Sequence, residues 1–337
     1  NIAIQEGVIF TYDDLRNEAF DIDVKPGVET VNICYNLQMD KIEKSFPDVK
    51  TLVIDSTVEL IKIPNTLFPN VKKVKSNSRA FAFSDECLVY NGSDSVYITL
   101  FNTFCKNKDE EIDLTNIQQI ADKAFYKCQS LNIKNTEMLS FFKDLAFEGS
   151  ALSQQPFMNG VKLMNDIVIE VDESAEEVIL PDEDEPIRRF ADNVNLSKVK
   201  KLVIHNEDSL SYSKLNQVPP YVVLDSNKVE HIDDLLHLTK NNTYIHQLKL
   251  TDKVTDFKEI DGVIYDRNVQ ILIASPIGKE FIQIPKTVQV IANYAFECCN
   301  IKLITLPDSI KEIKSYAFYD CQNLEHVNLG NNLVCFG

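Results

Sequence analysis

The sequence predicts an α/β solenoid in which short repeats stack on their neighbours, and three observations support this fold class. Apolar and small residues recur every 22 residues in three separated regions of the chain. Each repeat contains one short extended phrase ending in proline and one phrase with apolar residues three and four apart. At 337 residues and 44% hydrophobic composition, the chain exceeds the usual size of a single core, a limit that a repeat array escapes.

The repeat period is clearest near the C-terminal end, and the same phrase returns in the first half of the chain. Self-similarity at a period of roughly 20 to 50 residues is typical of stacked repeat architectures. The elements that recur 22 residues apart are Pro285 and Pro307, Ala295-Phe296 and Ala317-Phe318, Ala124-Phe125 and Ala146-Phe147, and the phrases beginning at Phe46 and Phe68.

Each repeat divides into two predicted elements. The extended phrase, as in Ile301 to Pro307, predicts a short strand, and its proline ends further pairing. The phrase I-x-x-I-x-x-x-A-F-x-x-C predicts a helical or 3-10 turn with one buried face, because its apolar residues lie three and four apart. Stacking one strand per repeat predicts a parallel sheet on the concave face and turns on the convex face.

Together these motifs resemble the BspA-like leucine-rich repeats, whose hallmark is similar to I-P-x-x-V-x-x-I-x-x-x-A-F-x-x-C-x-x-L. The resemblance is strong at 284–329 and 114–131, partial at 28–75, and degraded at 138–155 and 175–204. It implies a right-handed leucine-rich-repeat solenoid. It also implies a secreted or cell-surface protein that adheres to host or neighbouring-cell proteins or glycans.

Hairpin inserts interrupt the predicted repeats. Residues 261–276 resemble such an insert with a turn at 266–268, and residues 88–100 resemble a second one with an Asn91-Gly92 turn. Weaker copies begin at Glu6 and Asn159. The small and polar segment 150–159 is the best candidate junction, so we expect two repeat blocks, 1–155 and 156–337, within one continuous array.

Composition argues against several classes of partner. Acidic residues outnumber basic ones by 51 to 34, and the net charge of −17 disfavours nucleic acid and anionic membranes. No apolar run approaches the length of a membrane-spanning helix, so we expect no membrane insertion. We also expect a monomer without a cofactor.

An enzyme needs a constellation of reactive residues, and the familiar motifs are absent from the sequence. His231 and His237 lie six residues apart, which is poor spacing for two metal ligands on one helical face. Cys128, Cys299 and Cys321 occupy one slot of the repeat, where a small thiol suits a buried turn. We therefore predict no catalytic residues and no metal site.

Two features leave alternatives open. The acidic stretch 166–185 is interpreted as a solvated loop, with calcium or a basic partner as alternatives. The irregular region 205–260 carries Glu230, His231, Asp233 and Asp234, which keeps a carbohydrate-active site as a remote alternative.

Exposed positions of the strand phrases are the candidate binding surface. Lysines concentrate there although the chain is acidic, which would attract an acidic partner, whereas lysine on exposed strands also serves to deter edge pairing. The predicted partner-binding residues of the concave face are Lys50, Lys72, Lys73, Lys75, Lys200, Lys201, His246, Lys249, Phe281, Lys302 and His326. The predicted function is a non-enzymatic interaction or adhesion module for a protein or glycan on another cell or matrix. A structural spacer of a larger surface protein is the alternative.

Overall fold

The computed structural model describes residues 1–81, 84, 86–92, 96–181, 187, 189–205, 219–227, 229 and 245–337. These residues form two compact units. Unit 1 comprises 1–156, 162–170 and 191–193, and unit 2 comprises 157–161, 171–190 and 194–337. The boundary expected between residues 155 and 156 stays a prediction.

Both units are built from short strands, and regular helix in the described residues is confined to two short stretches. The helix α1 is Ala151–Gln154, and one 3-10 turn is Leu196–Lys198. The coils are therefore a β-solenoid with almost no helix.

Strands β1 to β14 belong to unit 1. Their bounds are β1 Ile2–Gln5, β2 Val8–Asp13, β3 Glu18–Val24, β4 Thr30–Ile33, β5 Asn36–Gln38, β6 Thr51–Ile54, β7 Ile61–Lys62, β8 Lys73–Ser76, β9 Leu88–Tyr90, β10 Thr99–Asn102, β11 Glu111–Asp113, β12 Gln119–Ile120, β13 Asn132–Lys134 and β14 Phe141–Phe142.

The remaining strands follow in chain order, and those from β17 onward belong to unit 2. Their bounds are β15 Val161–Met164, β16 Ile167–Val171, β17 Val178–Ile179, β18 Arg189–Phe190, β19 Leu202–Ile204, β20 Tyr221–Leu224, β21 Gln247–Leu250, β22 Phe257–Ile260, β23 Val263–Asp266, β24 Ile271–Ala274, β25 Val290–Ile291, β26 Leu303–Thr305, β27 Glu312–Ile313, β28 His326–Asn328 and β29 Cys335–Phe336.

The predicted strand phrases form parallel ladders with successive coils in register. In unit 1, β4, β6 and β8 pair so that Val31, Leu52 and Val74 align across the sheet. In unit 2, β17, β19, β20 and β21 form a second ladder, and β26 pairs with β28. The ladder continues through β20 and β21, so part of the region 205–260 that the sequence left irregular also follows the strand pattern.

A second set of parallel ladders was not predicted. The short strands β12, β25 and β27 lie where the sequence indicated a helical or 3-10 turn. They pair in parallel with strands of neighbouring coils, and β29 extends the last ladder. The apolar residues three and four positions apart in this phrase all face the inside of the coil, although the backbone there is not helical. Each full coil therefore contributes two strands, and the helix expected on the convex face is not confirmed.

The A-F segment that follows this second strand forms consecutive turns whose amides bond alternately within and between coils. The amide of Ala124 donates to Ala121 in the same turn at 3.2 Å, whereas the amide of Lys123 donates to Leu145 of the next coil at 3.0 Å. A continuous 3-10 helix would point every amide into its own turn. Left-handed residues make the alternation possible, as at Lys123, whose φ is +58°.

The predicted hairpin inserts are antiparallel pairs. Strand β23 pairs with β24, and residues 267–270 connect the two strands. Strands β9 and β10 also pair antiparallel, although residues 93–95 of their connection lie outside the described residues. At the start of the chain, β1, β2 and β3 form a three-stranded antiparallel meander.

The core of each unit runs along the inside of its coils. Phe125 and Phe296, the phenylalanines of equivalent A-F pairs, are both 0% exposed. In unit 2 the core cluster joins strand residues such as Ile304 with turn residues such as Ala295. Burial of these side chains leaves the intervening strand and turn positions facing outward.

Candidate functional site

The outward positions of the ladders built from the L-x-x-I phrase form an exposed surface in each unit, here called the strand face. Side chains alternate along these strands, so that Val74 is buried while Lys73 and Lys75 are exposed. Leu303 and Thr305 flank buried Ile304 in the same way. The strand face is therefore a regular, side-chain-lined surface and not a cleft.

The eleven predicted partner-binding residues are divided between the units. Four lie in ladder strands (Lys73, Lys75, Lys249 and His326), six precede such a strand by one or two residues, and Phe281 lies in no strand. Unit 1 carries Lys50, Lys72, Lys73 and Lys75, and unit 2 carries the other seven. Lys201 is half-buried, and the remaining ten are exposed. Their participation in binding stays a prediction.

Acidic side chains of neighbouring segments pair with several of these lysines. Lys50 pairs with Glu29 and Lys72 pairs with Glu110 in unit 1. In unit 2, Lys200 pairs with Glu176 and Lys201 pairs with Glu177. The positive charge on the strand face is therefore partly neutralised from within the chain.

Two of these contacts stabilise the charged form of the lysine. The Glu29 carboxylate raises the pKa of Lys50, and the Glu177 carboxylate raises the pKa of Lys201. Lys73 and Lys75 form no ion pair with a residue of the described ranges. They are the lysines of unit 1 whose charge the strand face presents most openly.

An apolar groove lies beside the strand face of unit 2. Its volume is about 880 Å³, and its lining includes Ile260, Phe281 and Leu303. These three side chains are 40%, 73% and 49% exposed. Contiguous exposed apolar side chains rimmed by polar ones are typical of interaction surfaces. Of the predicted residues, Phe281 is the one that lies in this groove.

Three tyrosines that the sequence analysis did not single out form a cluster on the A-F turns of unit 2. Together with Glu297, Tyr294, Tyr316 and Tyr319 line a pocket of about 500 Å³, here called the tyrosine cluster. The first two rings stack with centroids 5.2 Å apart and planes 8° apart. The third is nearly perpendicular to both, at 79° and 84°. The signal in the sequence is Tyr-Ala-Phe repeated at an interval of 22 residues.

The cysteine slot of the repeat is a turn position that is buried at Cys128 and Cys299 and half-buried at Cys321. Cys128 is 0% and Cys299 is 1% exposed. The Cys321 thiol donates to the carbonyl of Phe296 at 2.8 Å, and the Ser150 hydroxyl donates to Phe147 at 2.7 Å from the equivalent slot. The slot thus carries a small donor that satisfies a backbone carbonyl. All eight cysteines are free thiols in the structure.

Several predicted features lie outside the described residues. They include Glu230, His231, Asp233, Asp234 and His237, and also the acidic run 182–185. Within the described part of the chain, no group of three or more His, Cys, Asp or Glu residues is arranged to hold a metal ion. Helices there are also too short to span a bilayer.

The chain matches the model of a known repeat family. The family is described as BspA type leucine rich repeat region, and it matches in six copies over residues 34–167, 97–208 and 278–337. These ranges span more than half of the chain. No curated protein matches the chain.

Matches to solved structures cover almost the whole chain at low sequence identity. The pneumococcal vaccine antigen PcpA is 18% identical with a TM-score of 0.33, and the match covers 99% of this chain and 71% of that one. A leucine rich cell surface protein from Faecalibacterium prausnitzii is 13% identical with a TM-score of 0.29, covering 99% and 77%. A leucine-rich repeat protein from Bacteroides ovatus is 14% identical with a TM-score of 0.25, covering 99% and 67%.

Proposed function

Since this chain belongs to the BspA-type leucine-rich repeat family, we propose that it is a non-enzymatic interaction or adhesion module, secreted or displayed at a cell surface. It binds a protein or glycan of another cell or matrix through the strand face. Right-handed winding, a concave strand face and a monomeric state are parts of the same proposal. Stacked repeats suit this role because they offer a large continuous surface without a deep pocket.

The apolar groove of unit 2 is the observation that supports the proposal most directly. Phe281 is 73% exposed beside Leu303 at 49%, and both side chains line the same groove. Aromatic side chains are enriched among the residues that dominate binding energy at interfaces. The groove therefore provides an apolar anchor, and the exposed lysines beside it provide orientation and specificity.

Binding to immobilised extracellular-matrix proteins and to a glycan array tests this function. We expect saturable binding to at least one class and a loss of about 2 kcal/mol or more for Phe281→Ala, the magnitude typical of interface hot spots. Leu15→Ala is the control because Leu15 is 97% exposed and does not line the groove.

Reversal of Lys72, Lys73, Lys200 and Lys201 to glutamate tests the charged part of the strand face. We expect weaker binding and a smaller dependence of affinity on salt, because the reversal removes the attraction for acidic groups. Binding that is absent from both panels, or indifferent to the groove and to the lysine changes, contradicts the proposed function.

A further inference from the structure

The A-F turns of the two units present equivalent outward positions with different side chains. The position before Ala-Phe holds Lys123 and Leu145 in unit 1, and the position after it holds Tyr126 and Glu148. In unit 2 the same positions hold the four residues of the tyrosine cluster, two tyrosines before Ala-Phe and then Glu297 and Tyr319 after it. Each unit therefore pairs one tyrosine with one glutamate after Ala-Phe, on adjacent coils.

In unit 1, lysines of the chain itself contact this tyrosine and this glutamate. The Lys127 ammonium lies 5.7 Å from the centroid of the Tyr126 ring, within the range of a cation–π contact. The Lys123 ammonium lies 3.1 Å from the Glu148 carboxylate. Unit 1 thus shows which chemistry this part of the repeat accepts, an organic cation against a phenol ring and a carboxylate.

In unit 2 both lysine positions have changed. Tyr294 and Tyr316 stand where Lys123 and Leu145 stand in unit 1, and Cys298 and Asp320 stand where Lys127 and Gly149 do. In the described structure the pocket is lined by three tyrosines and a glutamate, without lysine or arginine. The rings remain accessible, since Tyr294, Tyr316 and Tyr319 are 39%, 58% and 54% exposed.

The backbone directs these rings outward as it directs the equivalent lysine of unit 1. Tyr294 and Tyr316 have φ values of +58° and +60°, and Lys123 has +58°. Two such tyrosines on adjacent coils are held with their rings parallel and outward. Phenol faces carry negative electrostatic potential, so the three exposed rings complement a positive ligand.

We propose that the tyrosine cluster is a binding site for an organic cation, the guanidinium or ammonium of an arginine or lysine on a basic segment of a partner protein. The partner's cation lies against the tyrosine rings, as the Lys127 ammonium lies over the Tyr126 ring in unit 1. This inference rests on the proposed function, because it names the chemistry of one partner. Its test uses a small probe and no partner, so the two ideas fail separately.

Ligand-observed NMR titration with N-acetyl-arginine amide tests the site, and N-acetyl-citrulline amide is the probe of equal shape without charge. We expect saturable binding of the arginine probe to the whole chain and at least tenfold weaker binding of the citrulline probe. Tyr319→Ala should weaken arginine binding at least fivefold. Tyr126→Ala, the equivalent change in unit 1, should leave the binding unchanged.

Tyr316→Lys provides a variant that imitates unit 1. We expect it to abolish arginine binding because an internal ammonium then competes for the rings, while circular dichroism reports an unchanged fold. Equal binding of arginine and citrulline probes, or arginine binding that survives both changes in unit 2, overturns the proposal. So does binding of a trisaccharide of N-acetylglucosamine at the same rings without arginine binding, which would make the cluster a glycan site.

Discussion

The two units share one repeat but carry different side chains on the outside of the A-F turn. In unit 1 the tyrosine and the glutamate after Ala-Phe are each covered by a lysine of the chain, Lys127 over Tyr126 and Lys123 beside Glu148. In unit 2 the equivalent coils carry the tyrosine cluster, whose lining holds no basic residue of the described chain. The difference shows that the inside of a coil specifies the fold while the outside is free to diverge.

Identical positions on the inside should make the units equally sensitive to loss of core volume. Phe125→Ala in unit 1 and Phe296→Ala in unit 2 each remove a side chain that is 0% exposed, so we expect a loss of about 3–5 kcal/mol of unfolding free energy in either case. Hydrogen exchange should locate the weakened amides in the unit that was changed. Equal loss of protection in both units after one substitution would show that they unfold as one.

The second position after Ala-Phe is left-handed in both units, and a smaller effect is expected there. It holds Gly149 in unit 1, where φ is +66° and an added Cβ would lie 2.8 Å from the Tyr126 ring. We expect Gly149→Ala to cost at least about 1–2 kcal/mol, because the substitution adds left-handed strain and a close contact. Lys127→Ala is the matched control, since Lys127 already has a φ of +58°. Denaturation midpoints of the two variants that do not differ would contradict this reading of the turn.

Alkaline pH should weaken unit 1 through its buried thiols. Burial raises the pKa of Cys87 from its ordinary value of 9.0 to about 12. The folded state therefore holds this proton more tightly than the unfolded state, and the associated stability is complete below pH 9 and declines as pH rises toward 12. Denaturant unfolding from pH 8 to pH 11 should show the decline.

Substitution of the thiol gives the control for that experiment. Cys87→Ala should flatten the alkaline decline, whereas Cys335→Ala should leave it unchanged because Cys335 is exposed in the C-terminal coil. Burial also raises the pKa of Cys105 to about 11, so a part of the decline should persist in the first variant. An unaltered pH profile in Cys87→Ala would exclude this thiol as its source.

The smallest expected effect concerns the ion pair of unit 1. Lys123 and Glu148 are 54% and 47% exposed, so we expect a coupling free energy of about 0.2–1 kcal/mol that decreases with added salt. A double-mutant cycle with Lys123→Ala and Glu148→Ala measures it. A coupling free energy well above that range would mean that the ion pair contributes substantially to the stability of the turn.

Much of the fold follows from the period of the sequence. Alternation along the strand phrases predicted which side chains face outward, and the structure places Lys73 and Lys75 accordingly on either side of buried Val74. The hairpin at 261–276 was also predicted, because its apolar runs flank a short polar turn. The 22-residue period and the alternation of buried and exposed residues can both be recognised from the sequence without knowledge of how the coils pack.

The second ladder could not be predicted from spacing alone. Ile117, Ile120, Ala124 and Phe125 are buried and lie at intervals that also suit one face of a helix. What decides between helix and strand is the hydrogen bonding to neighbouring coils, which a single repeat does not contain. Bonds such as that from Phe296 to Ala317 form only when the coils stack.

The candidate site was predicted in part. The strand positions identified Phe281 as an exposed residue, but the apolar groove around it includes Ile260 of a hairpin insert, which the repeat pattern does not address. The tyrosine cluster was missed because the A-F phrase was interpreted through its buried residues. Ion pairs such as that of Lys50 with Glu29 join adjacent coils, so local sequence gives no sign of them.

One titration compares the two units within a single molecule. In a sample with labelled tyrosine rings, the NMR signals of Tyr126 and of Tyr294, Tyr316 and Tyr319 are followed together while N-acetyl-arginine amide is added. If lysines of the chain occupy the site in unit 1 and an external cation occupies it in unit 2, the three rings of the tyrosine cluster shift and saturate while Tyr126 does not move. Equal shifts in both units, or none in the cluster, would contradict the account.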